Sequence, residues 1–129
     1  MLGTFEVLPS KAKFGILKEG YVYQTIINLV NVGLESTRLR VKSPKCKRIS
    51  LNYRKGPVAP GMKVALQIIV DARDLDSEKA YHISEEIEIV SESEYLYVPV
   101  SAELLPADSP RVEKLRQNIS ILTDSTVQV

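Results

Sequence analysis

One histidine, one cysteine and a run of carboxylates are the side chains through which this chain could do chemistry. Any Ser-His-Asp or Cys-His set would have to be built on His82, because the nucleophile needs an imidazole to take its proton. Tyr81, Ile83 and Ser84 around it read as a loop running into a strand, so His82 is expected to be an incidental surface residue. Cys46 lies between Lys45 and Lys47, whose charges would favour a thiolate, but no general base is in view and a spectator thiol is the expected reading. A single cysteine also excludes an intrachain disulfide and a cysteine-based zinc site, and fits a reducing compartment. Glu85, Glu86, Glu88, Glu92 and Glu94 lack the spacing and central glycine of an EF-type calcium loop, and alternation puts Glu86 and Glu88 on the solvent side of a strand. The stretch from Gly56 to Gly61 lacks the Lys-Ser/Thr pairing of a phosphate cradle and reads as a turn. No catalytic, cofactor-binding or metal-binding residue is assigned, and no enzymatic activity is expected.

The basic segment is the more informative cluster. Between Ser36 and Val70 there are nine Lys or Arg and no Asp or Glu, whereas Asp71 to Asp108 carries eleven acids against Arg73 and Lys79. Two oppositely charged surfaces are expected. If Leu39 and Val41 point inward, Arg38, Arg40 and Lys42 project from one strand face at intervals of ~7 Å. Lys45, Lys47, Arg48, Arg54 and Lys55 then extend the patch through a following hairpin. Such a row fits an acidic or cytoskeletal protein partner. Nucleic acid is disfavoured, because single-strand binders interleave aromatic residues for stacking and this segment offers only Tyr53. The alternative reading of the row is a charged edge that blocks unwanted sheet pairing.

The elements that must position these residues are set by periodicity. Val64, Leu66, Ile68 and Val70 alternate with Lys63, Ala65, Gln67 and Ile69, and Leu96, Val98, Val100, Ala102 and Leu104 do the same. Weaker strands are predicted at Thr4 to Leu8, Tyr21 to Asn31, Leu39 to Val41, Ile49 to Tyr53, and around Ile87 and Ile89. Gly, Pro, Asn and Asp clusters fall between them. Pro99 cannot donate a ladder hydrogen bond and implies an edge or a bulge. The chain of 129 residues is expected to form one all-β, seven-stranded immunoglobulin-like sandwich over residues 1–105, with a C-terminal extension over 106–129. In that extension Ser109 and Pro110 could start a helix, and Val112, Leu115, Ile119 and Leu122 fall at helical spacing; a frayed tail is the other reading. The formal charge of +1 argues against a dedicated nucleic-acid or anionic-membrane binder. With no signal-like N-terminus and no apolar run of ~20 residues, a cytoplasmic protein without membrane insertion is expected.

Taken in order, Phe14-Gly15, Gly20, Ile27 with Asn28 and Asn31, Leu39 to Pro44, Gly56-Pro-Val-Ala-Pro-Gly-Met62, Leu66, Val70, Ile87 to Ile89 and Val98-Pro-Val100 with Ala102 resemble the major sperm protein and ASH domains. The resemblance covers about Phe5 to Leu104. It implies a seven-stranded immunoglobulin-like fold that binds proteins without catalysis, in cilia, flagella, centrosomes or the axonemal central apparatus, as in hydin. Read physically, Gly15 and Gly20 allow tight turns into the long second strand, and Asn31 and Gly33 suit a turn with positive φ. Arg40, Lys42 and Lys45 resemble the basic strand by which the membrane-contact branch binds acidic, phenylalanine-containing peptides. Ser43-Pro44 stands where that branch has a threonine pair, so the axonemal branch is the preferred one.

Overall fold

An alternation of apolar and polar residues forces extended chain, because only a period-two backbone puts every second side chain on one face. The computed structural model describes residues 4–75, 81–106, 116 and 118–122, and these contain ten strands and no helix. They are β1 (Phe5–Leu8), β2 (Ala12–Lys18), β3 (Val22–Asn31), β4 (Thr37–Val41), β5 (Ile49–Asn52), β6 (Pro57–Val58), β7 (Lys63–Asp71), β8 (Tyr81–Ser91), β9 (Tyr95–Leu105) and β10 (Ser120–Ile121). One sheet has the order β1-β3-β7-β5, with β10 also on β3; the other runs β2-β9-β8-β4-β6. Two sheets in this order, face to face, make an immunoglobulin-like sandwich. Its interior is filled by the alternating residues of both sheets, among them Ile27, Leu29, Leu66, Ile68 and Val70 from the first and Phe14, Leu17, Ile87, Ile89, Val98 and Leu104 from the second.

The seven expected strands are all present. Three more were not visible in the pattern. β2 lost its period to Gly15, where the parallel pairing with β9 shifts register at a bulge and φ is +73°; Gly15 is therefore inside a strand and not a turn. β6 and β10 are two residues each and too short to carry an alternation. Pro99 is explained by local geometry. The Ser91 N–H donates to the Glu94 carbonyl, which fixes the β8–β9 alternation and makes Glu86–Pro99 a pair without ladder bonds. The Pro99 nitrogen is thus turned toward the side where β2 joins only from Val100 onward.

Asn31 was expected to favour a positive-φ turn, and it does not adopt one. It ends β3, fully buried, and its side chain ties three segments together. The Nδ2 group donates to the carbonyls of Glu35 at 2.9 Å and Val58 at 2.8 Å, while Oδ1 accepts from the Gly33 N–H at 2.8 Å. Its own backbone bonds Met62 and Gly61, so the turn before β7 closes on the same residue.

The described part of the C-terminal extension is a turn, in which the Ile119 N–H donates to the Arg116 carbonyl at 3.1 Å, followed by a short strand. Ser120 and Ile121 pair with Gln24 and Tyr23, on the same edge of β3 that β1 occupies from Asn28 to Asn31. Ile119 is buried in the core, the Thr25 hydroxyl donates to the Asn118 carbonyl at 3.0 Å, and the Leu122 N–H donates to the Val22 carbonyl at 2.8 Å. The helical spacing does not operate at Ile119 and Leu122, because pairing with β3 satisfies backbone groups that a helix would have had to bond internally. Val112 and Leu115 lie outside the described residues.

Both anchors should be measurable in urea unfolding. Asn31→Ala should cost ~2–3 kcal/mol, since one buried carbonyl, one part-buried carbonyl and one part-buried N–H lose their partner. Ile119→Ala should cost ~2–3 kcal/mol by the same measurement, whereas a dispensable tail would leave the midpoint unchanged.

Candidate protein-interaction face

The outward positions of β4 behave as alternation requires. Arg38 and Arg40 are exposed on either side of the buried Leu39, and Lys42 continues the same face. The chain after β4 does not turn back as a hairpin. β4 pairs with β8 in one sheet, while β5 pairs with β7 in the other, so the chain crosses between sheets over residues 42–48. A strand pair was expected because two adjacent alternating segments look alike whether they pair or part. The crossing places the edges of β4 and β5 on the same side of the sandwich.

The eight cations consequently have different surroundings. Lys42 Nζ lies 2.8 Å from Glu88 Oε2 on β8, a carboxylate that holds the ammonium pKa above its ordinary value. Arg48 is half-buried and lies against neighbouring backbone. Its guanidinium donates to the carbonyls of Asp71 at 2.9 Å, Arg73 at 2.8 Å and Asp74 at 3.2 Å, and stacks 5.2 Å from the Tyr81 ring centroid. It is a clamp on the loop after β7. That loop also carries the Arg73–Asp71 ion pair, whose hydrogen bond lowers the Asp71 pKa. Arg54 lies on the outer face of the first sheet with Ile26, Asn52, Ala65 and Gln67. Arg38, Arg40, Lys45, Lys47 and Lys55 remain, and none makes an ion pair with another described residue.

These five cations border two shallow grooves that meet at Tyr53 and Lys55. One, of about 400 Å³, runs over Arg38, Leu39, Arg40, Val90 and Ser91. The other, of about 490 Å³, runs between Val41 to Pro44 on one side and Ile49 to Leu51 on the other, rimmed by Lys45 and Lys47. The Tyr53 hydroxyl accepts a hydrogen bond from the Val41 N–H at 3.2 Å and joins the two sheet edges at the bottom. Aromatic surface that the basic pattern did not suggest lies nearby. Tyr95 and Tyr97 are 67% and 51% exposed, and pair across strands with Val90 and Glu88, next to Arg40 and Lys42. Strand parity was the available signal, since Tyr95 and Tyr97 alternate with the inward Leu96 and Val98.

The acidic strand lies next to the basic one. Besides the Lys42–Glu88 pair, the Glu85 carboxylate accepts the backbone N–H groups of Lys45 at 3.1 Å and Cys46 at 2.7 Å, and so fixes the crossing loop. The Glu94 carboxylate accepts the Phe5 N–H at 2.9 Å. Of the two candidate nucleophilic or basic residues, Cys46 packs half-buried against the core with its sulfur toward Tyr81, whose pKa it raises. His82 faces Glu103 at 3.7 Å. Among the described residues no cluster of three or more His, Cys, Asp or Glu could hold a metal ion, and no helix is long and apolar enough to cross a membrane.

A family model described as PapD-like, flagellar-associated PapD-like, matches residues 2–105. Among solved structures, a protein of unknown function from Porphyromonas gingivalis W83 is similar at 22% identity and a TM-score of 0.64, over 79% of this chain and 47% of that one. This chain thus spans about half the length of that protein. The VesB protease of Vibrio cholerae matches at 11% identity and a TM-score of 0.49, over 78% of this chain and 31% of that one. The M1 domain from titin matches at 14% identity and a TM-score of 0.41, over 87% of this chain and all of that one. The first of these likenesses is one of fold.

The differing surroundings of adjacent cations give a direct check. Arg48→Ala should lower stability by ~1–2 kcal/mol in chemical denaturation, because three carbonyls lose a charged donor. Lys47→Ala, one residue away and exposed, should stay within about 0.5 kcal/mol of the parent.

Proposed function

We propose, from the premise that this chain belongs to the flagellar-associated PapD-like family, that it is a scaffold domain of a ciliary or flagellar axonemal protein and docks on an acidic structural partner. The family is one of non-catalytic protein-interaction domains. The observation that carries the reading is the set of five cations, Arg38, Arg40, Lys45, Lys47 and Lys55, left without ion-pair partners among the described residues around grooves that meet at Tyr53. Charges that only solubilise a surface gain by being dispersed. Here they converge, and exposed aromatic rings stand beside them, the composition found at the energetic centres of protein interfaces. The resemblance to the ASH domains of axonemal proteins, carried by Leu39 to Pro44 and Gly56 to Met62, supports the same cellular setting.

Lys42, Arg48 and Arg54 belong to the basic segment but contribute to this surface differently. Lys42 is neutralised by Glu88, Arg48 holds the loop after β7, and Arg54 looks out from the other sheet. Binding through the five free cations is electrostatic at the surface, so it is screened over ~8 Å at physiological ionic strength and weakens with added salt. The chain with Arg38, Arg40, Lys45 and Lys55 changed to Glu should keep its unfolding midpoint and lose partner recovery in a pull-down from ciliary or flagellar extract. Recovery of the same partner by this variant, at unchanged yield and salt dependence, would overturn the reading.

A further inference from the structure

We infer that the free edge of β5 is the recognition element of this face, and that its ligand is an extended acidic segment of a partner protein added to the sheet as a further strand. The inference rests on the cationic face being the partner site, and it specifies how and where the partner is held.

Ladder geometry identifies the open groups. The Asp71 N–H donates to the Arg48 carbonyl, so Arg48, Ser50 and Asn52 direct their backbone groups to β7. Ile49, Leu51 and Tyr53 therefore direct theirs to the other side. The Ile49 N–H is used by the Cys46 carbonyl at 3.2 Å. The Leu51 N–H and carbonyl face the edge.

The opposite wall is already closed. β4 has β6 on its edge at Thr37 and Arg38, and the Tyr53 hydroxyl takes its Val41 N–H. Of the two edges that flank the groove, β5 is the one that presents both an N–H and a carbonyl, those of Leu51, with no strand beside them among the described residues. The groove of about 490 Å³ follows that edge and is floored by half-buried Val41, Leu51 and Tyr53, where every second side chain of an added strand would rest. The alternate side chains would point outward, toward Lys45 and Lys47 at one end and Lys55 at the other. Lys45, Lys47 and Lys55 make no ion pair with a described residue, and Glu85, the acid beside Lys45, is engaged by the backbone N–H groups of Lys45 and Cys46. A strand of alternating apolar and acidic residues is the complement of both the floor and the rim.

The test uses the full chain and a capped peptide in which glutamate alternates with leucine, followed by backbone amide shifts in NMR and by fluorescence titration of labelled peptide. Two further peptides carry N-methyl groups on one or the other alternate set of backbone nitrogens, with all side chains unchanged. The parent peptide is expected to bind and to shift the Leu51 and Tyr53 amides, and one methylated peptide should bind about tenfold more weakly because its edge hydrogen bonds are gone. Lys45, Lys47 and Lys55 changed together to Glu should abolish binding of all three. Equal binding of the three peptides overturns strand addition while leaving electrostatic docking on the cationic face intact. Absence of binding by the parent peptide at low salt also overturns it, and the pull-down with the charge-reversed chain then judges the face by itself. Leu51→Pro, which removes the edge N–H, should reproduce the methylated-peptide loss if the variant unfolds cooperatively.

Discussion

Two sheets that share one apolar interior leave four edges, and the character of this domain's surface depends on how each is closed. An open edge presents a row of unpaired N–H and carbonyl groups that any extended chain can join. Along β3 the closure is double: β1 covers Asn28 to Asn31, and β10 covers Tyr23 and Gln24. At β2 the backbone bulges at Gly15, where a methyl group would meet Arg116 Nε at 2.7 Å. On β4 the work is divided between β6 and the Tyr53 hydroxyl. β5 has lysines around it and, among the described residues, no strand on its outer side. β1 and β2 also end their sheets with no strand on the outer side among the described residues, so what sets the β5 edge apart is its border of lysines.

That arrangement explains which parts of the fold could be read from the residues. Alternation reports which side of a strand is apolar, so the inward sets at Val64 to Val70 and Val98 to Leu104 were legible in the sequence alone. Alternation does not report which strand lies next door. β4 and β5 each alternate, and nothing in their own residues distinguishes a hairpin from a crossing between sheets. The crossing is set elsewhere, by the match of β4 to β8 and of β5 to β7 and by Glu85 holding the loop between them. β10 was illegible for another reason. Two residues define no period, and at Ile119 to Leu122 the open β3 edge takes the backbone groups that helical spacing alone would assign to a helix.

The cationic patch shows the same division between type and context. Counting charges locates a basic segment but cannot say which of its members are free. Arg48 is the clearest instance. In the sequence it is one of four cations from Lys45 to Arg54, yet its guanidinium reaches three carbonyls of another loop and an aromatic ring. A planar donor fork suits that task, and an ammonium at the same place would satisfy fewer carbonyls at fixed geometry. Lys42 is removed from the patch by a partner on the adjacent strand, a pairing that arises from register and not from distance along the chain.

A lysine-rimmed edge is commonly read as protection against aggregation, and here protection and recognition come from one arrangement. Were two copies to pair through β5, Lys45, Lys47 and Lys55 of one would approach the same residues of the other, and like charges at strand spacing repel. A neutral strand meets no such repulsion, but it gains nothing from the rim and must desolvate it. An acidic strand is the one class for which the backbone groups of Leu51 and the surrounding ammonium groups act in the same direction. Discrimination then comes from what the edge rejects as much as from what it attracts, and a four-residue strand suffices because selectivity resides in its border.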